Sequence, residues 1–151
     1  MYIRAVRFGA WRKLQAGDAG VVDEAANDLV RTGSMVSVYE CHSTSDIELV
    51  AVAHSCTRLR AQPFDYIEID DFFVAKYAVA TTPGTTPLPD ANRLHRDVDL
   101  SGIRARDAAI RLAFVGFTLS RLPAPELRVV AARLRDTGQP IPASSWLLAG
   151  V

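Results

Sequence analysis

An α+β fold is predicted for this chain: a mostly antiparallel sheet of four or five strands, one helix after the first strand, and two packed helices at the C-terminal end. Three observations carry that expectation. Strand-like segments dominate the first half and are separated by short turn clusters, which suit antiparallel neighbours; parallel ones need long crossovers. A single helical stripe interrupts them. Two helical segments then follow one another after a proline-rich stretch.

The first strand is read at Tyr2-Ile-Arg-Ala-Val-Arg-Phe8, rich in β-branched and aromatic residues. Gly9 and the basic stretch Trp11-Arg12-Lys13 are expected to lead into a turn at Gly17. Asp18 is a suitable N-cap for a helix over Asp18 to Thr32, on which Val22, Ala25, Ala26 and Leu29 share a face. Asp23 and Glu24 in its first turns and Arg31 in its last suit the helix dipole, and Gly33 is a natural stop.

Ser34 to Cys56 reads as a hairpin, its arms Met35–Cys41 and Ile47–His54 flanking the turn formers Ser43-Thr-Ser-Asp46. Phe64 to Ala80 is strand-like but long for one strand, so a break at Asp70-Asp71 is expected. Asp70 would equally cap a short helix pairing Phe73 with Tyr77, and the sequence leaves residues 70–80 open between strand and helix.

Thr81 to Asn92 contains three prolines and a glycine, and the irregularity is expected to run on to Ser101 as one long loop. Ile103 to Leu122 follows as a helix with one narrow polar stripe. It is expected to be the central core helix, with Phe114 inside. Pro123 ends it, Pro125 opens the next, and Leu127, Val130, Ala131 and Leu134 form that helix's stripe up to Gly138. The tail ends apolar, Trp146-Leu-Leu148, and is expected to dock.

The 151 residues, 49% hydrophobic and 23% charged, suffice for one core and not for two, so one domain over 1–151 is expected. The longest apolar run, Leu112 to Phe117, is far short of the ~20 residues that span a bilayer. No signal-peptide stretch opens the chain. With two unpaired-looking cysteines, this predicts a cytoplasmic protein away from membranes.

The zero net charge hides a split: residues 1–14 carry +4, residues 15–92 carry −8, and residues 93–151 carry +4. Internal complementarity and a partner surface both account for it. Fifteen of the seventeen basic residues are arginine, which fits either a GC-rich coding sequence or a need for planar anion-binding forks.

No motif fixes a chemistry. Cys41, His42, His54 and Cys56 are of zinc-ligand type. The hairpin register, however, sets Cys41 opposite Glu48 and His54 about 20 Å further on, so no metal and no disulfide is expected there. His95 sits between Arg93, Arg96, Asp97 and Asp99 and is the one catalytic candidate, as a proton carrier. No nucleophile elbow, phosphate-binding loop or dinucleotide fingerprint accompanies it, and no cofactor is expected.

Glu68, Asp70 and Asp71 form the densest acidic cluster and read as the wet face of a strand. Arg104 and Arg111 share a helical stripe and are candidate phosphate ligands. Nucleic acid is not expected as a partner, because the chain is neutral and its aromatics lie in the strands. Two function classes follow. The first is a non-enzymatic module of the bacterial immunity or antitoxin type, meeting a basic protein partner through Glu68, Asp70 and Asp71. The second is a small enzyme or phosphate-binding domain using His95 with Arg104 and Arg111. Nothing in the sequence bars a homo-oligomer.

Overall fold

The computed structural model describes residues 1–30 and 34–150; Arg31, Thr32 and Gly33, where the expected end of the second element falls, lie outside them. The fold is α+β. Six strands form one open antiparallel sheet: β1 (Tyr2–Ala5), β2 (Met35–Glu40), β3 (Phe64–Ile69), β4 (Ala78–Thr81), β5 (His95–Asp99) and β6 (Thr118–Leu122), in the order β4-β5-β2-β1-β3-β6. Seven α-helices accompany them among the described residues: α1 (Phe8–Gln15), α2 (Val22–Leu29), α3 (Thr44–Ser55), α4 (Asp71–Val74), α5 (Pro89–Asn92), α6 (Ala105–Val115) and α7 (Ala124–Asp136).

Both faces of the sheet are covered. Ile3, Tyr39, Phe64 and Tyr66 pack under α3, α5, α7 and the C-terminal turn at Trp146–Leu148. Val36, Val38, Ile67, Ile69 and Val98 pack under α1, α2, α4 and α6. The alternation along each strand assigns its residues to the two cores.

Several elements differ from the sequence reading, each for a physical reason. The first strand stops at Ala5 and Phe8 opens α1, whose Ala10, Trp11 and Leu14 are buried at helical spacing. Asp18 does cap, but it caps a 3-10 turn at Ala19–Val21 that leads into α2. The expected second arm of the hairpin is α3. Ser43 accepts the Asp46 backbone N–H, and Asp46 accepts that of His42, so the presumed turn formers are a helix start. Because α3 is wedged between the sheet and α7, Ile47, Val50, Ala51, Val52 and Ala53 are all buried, and the one-sided stripe that marks a surface helix is missing.

At residues 70–80 the capped helix prevails. Asp70 caps α4, Phe73 and Tyr77 lie with ring centroids 5.2 Å apart, and β4 follows. The expected irregular stretch 81–101 holds α5 and β5. Pro89 sits in the first turn of α5, and β5 hides in the sequence because only Val98 of His95-Arg-Asp-Val-Asp99 is buried.

The expected core helix 103–122 is two elements. α6 ends at Gly116, whose φ of +97° only glycine adopts without strain, and the chain turns back as β6. Phe114 is 91% exposed; the buried face is Ala108, Ala109 and Leu112, set against α2. Nor do the last two helices pack on each other: α6 and α7 lie on opposite faces of the sheet. α7 starts at Pro123–Pro125 as expected, and Trp146 and Leu147 dock as expected.

Candidate functional site

The register of β2 against β5 pairs Tyr39 with His95 and Ser37 with Asp97, which places these four side chains on one face of the sheet. β4 runs beside β5 and delivers Thr82 directly after its last residue. α3 crosses above and contributes His54. The result is a concavity of about 470 Å³, lined by Arg4, Ser37, Tyr39, His54, the wall 82–85, His95 and Asp97.

A chain of hydrogen bonds orients His95. The Ser37 hydroxyl donates to Asp97 Oδ1 at 3.3 Å, and the Thr82 hydroxyl donates to Asp97 Oδ2 at 2.9 Å. His95 Nδ1 lies 3.0 Å from the Thr82 carbonyl oxygen and 2.9 Å from its hydroxyl. A carbonyl oxygen only accepts, and the hydroxyl proton is committed to Asp97, so Nδ1 carries the proton. In the neutral ring Nε2 then holds the lone pair; it lies 3.9 Å from Asp97 Oδ1, on a side chain that is only 12% exposed.

Tyr39 stands between the two histidines, its ring edge-on to His54 at 5.2 Å and to His95 at 5.3 Å. Burial pushes the Tyr39 phenol above its ordinary range, against a smaller opposing pull from Arg4. Arg4 at the rim donates to the Ser37 carbonyl at 2.8 Å and to that of Asp28 at 3.2 Å.

The wall 82–86 is tied to α5. Asn92 Oδ1 accepts from the Thr86 backbone N–H and hydroxyl, while its amide donates to the Thr86 carbonyl. Gly84 donates to the Asn92 carbonyl at 3.1 Å, and a Cβ on Gly84 would stand 2.8 Å from Asn92 Oδ1. Glycine is therefore demanded there by close approach.

Arg104 and Arg111 are not brought to His95. They lie at the start of α6 and on it, across the sheet, where Arg104, just before the helix, pairs with Asp107 at 3.1 Å and Arg111 donates to the Tyr77 hydroxyl at 3.3 Å.

Glu68, Asp70 and Asp71 do come together, though not as a strand face. Glu68 is on β3 opposite Ile3 and Thr118, Asp70 caps α4, and Asp71 pairs with the N-terminal ammonium at 3.1 Å. They line an open cleft of about 530 Å³ with Gly116, Phe117 and Thr118.

The charge split resolves partly inside the molecule: Arg106 pairs with Asp23, Arg121 with Asp65, Arg96 with Glu40 and Arg133 with Glu48. Each joins an arginine of the positive C-terminal segment to an acid of the negative middle one.

Cys41 and Cys56 are buried free thiols, and the hairpin register that set Cys41 apart from His54 and Cys56 falls with α3. Among the described residues no three His, Cys, Asp or Glu side chains are grouped as metal ligands, and no helix is long and apolar enough to cross a membrane.

The sequence offers His54 only as a zinc-type ligand and does not single out Tyr39 or Thr82. His54 had a usable signal, since the Ser43–Asp46 cap starts a helix that runs on to Ser55. Tyr39 and Thr82 had none, because only the β2–β5–β4 register places them beside His95. Compared with protein-family models, with curated proteins and with solved structures, the chain matches none.

Proposed function

We propose that the chain is a small enzyme that moves a proton on a polar small molecule bound in the 470 Å³ concavity, with His95 Nε2 as the general base. The observation that carries this reading is the Thr82 carbonyl on His95 Nδ1, which in the neutral ring leaves the lone pair on Nε2. A base needs its lone pair directed and its other nitrogen held, and it gains from a nearby carboxylate once it becomes imidazolium. Asp97 stands at that position. Tyr39 and His54 give the concavity an aromatic wall. The volume lies within the range of small-molecule sites.

Long-range proton–nitrogen correlation spectra of the histidines test it. The expected result is protonated Nδ1 and lone-pair Nε2 on His95 at neutral pH, with shifts at His95 and at the Thr82 amide when a metabolite mixture is added, and a smaller Thr82 shift in His95→Asn. A His95 protonated on Nε2 instead, or spectra unmoved by every mixture, overturns the reading.

A second reading keeps the acidic cluster as a docking surface for a basic protein, as in an immunity or antitoxin protein. In its favour, no arginine pairs with Glu68, Asp70 or Asp71 among the described residues, whereas other acids of the middle segment are paired. Capture from the native host, followed by association kinetics with Glu68→Gln/Asp70→Asn, decides it. Asparagine retains the Asp70 cap, so a slower, less salt-dependent association supports docking. An unchanged rate and salt slope removes it.

A further inference from the structure

We propose that β4 is a self-association edge: two copies of the chain pair β4 with β4 antiparallel about a two-fold axis, joining two six-stranded sheets into one. Among the described residues β4 has a strand on one side only, β5, so its other side presents unpaired backbone donors and acceptors. All four of its residues are exposed, Val79 among them at 39%. A concavity of about 410 Å³ reaches Tyr77 and Val79, and another of about 440 Å³ runs along Thr81 to Gly84.

The opposite edge of the same sheet is protected. On β6, Arg121 forms a two-point ion pair with Asp65 and lies over the Phe8 ring, and Gln15 of α1 donates to the Phe117 carbonyl just before the strand. Pro123 follows directly. Ala-Val-Ala-Thr carries no charge, no proline and no cover. Proteins normally blunt a free edge by such means; β6 carries several of them, and β4 only its short length.

The occupant that fits is a second copy of β4. A four-residue ladder is too short to offset the ordering of a flexible peptide, which costs about 1–2 kcal/mol per residue in backbone freedom alone. A strand already held in its own sheet does not incur that cost. A two-fold axis normal to the sheet opposes residues of one face, so an axis through Val79 sets Val79 against its own copy and Ala78 against Ala80, and no like charges meet.

Sedimentation velocity from micromolar to near-millimolar protein is the test. The expected result is a reversible dimer whose dissociation constant rises about tenfold or more in Val79→Lys and in Ala80→Lys, which place lysines on opposite faces of the strand. Val129→Lys, on exposed α7 surface, should leave it unchanged. If Val79→Lys loses its fold, Ala80→Lys decides. A monomer at every concentration, or a dimer that neither folded lysine variant weakens, overturns the proposal.

Discussion

Trp11 Nε1 donates to Asp28 Oδ2 at 2.8 Å, and the same oxygen accepts the Arg7 backbone N–H at 2.7 Å. One buried carboxylate of α2 thereby holds the start of α1 and its largest buried side chain. Trp11→Phe keeps most of the ring but removes one donor from a buried charged acceptor. The expected loss is ~1–3 kcal/mol, read as a lower urea midpoint at unchanged slope.

Leu112 and Phe114 are expected to respond in opposite ways. Leu112 is fully buried and Leu112→Ala should cost ~2–5 kcal/mol. Phe114 is 91% exposed, so Phe114→Ala should change stability by less than about 0.5 kcal/mol. Equal losses at the two positions in thermal or urea unfolding would contradict the placement of α6.

Burial pushes the Cys41 thiol from 9.0 up to about 12. The folded state therefore holds this proton more tightly than the unfolded chain. Its contribution to stability is full below about pH 9 and is lost as pH rises toward about 12. Native protein at pH 8 should react slowly with a thiol reagent at Cys41, and denatured protein rapidly. Cys41→Ala should flatten the alkaline fall in melting temperature. An unaltered slope between pH 9 and pH 11 would show that other groups cause it.

Gly84→Ala should move the pocket wall. The new Cβ would stand 2.8 Å from Asn92 Oδ1 and 3.1 Å from Asn92 Cα, so the 82–86 segment or α5 must shift. The expected cost is ~1–3 kcal/mol. The accompanying change should appear in the amide spectrum at Thr82, Thr86 and His95, and not in α6. A spectrum unchanged at Thr82 and His95 would mean that the wall is not coupled to the histidine.

The sequence by itself determined the α+β class, α2, α7 with its proline start, the docked Trp146-Leu147 tail and the candidacy of His95. Caps, prolines and one-sided stripes are local features, and local geometry is enough to read them. It also held a correct alternative at Asp70, whose carboxylate accepts the Phe72 N–H and starts α4. Only the tertiary structure decided which apolar runs were strands and which were helices. α3 is buried on several sides, so its periodicity vanishes into a run that alternation fits equally well. β5 errs the other way: polar side chains that satisfy one another across the sheet, such as Ser37 with Asp97, look in sequence like a solvated loop. The site depends on the same register. Thr82, His95, Asp97, Tyr39 and His54 converge only because β4, β5 and β2 lie side by side beneath α3. Strand order is a property of the packed sheet, and no local spacing encodes it.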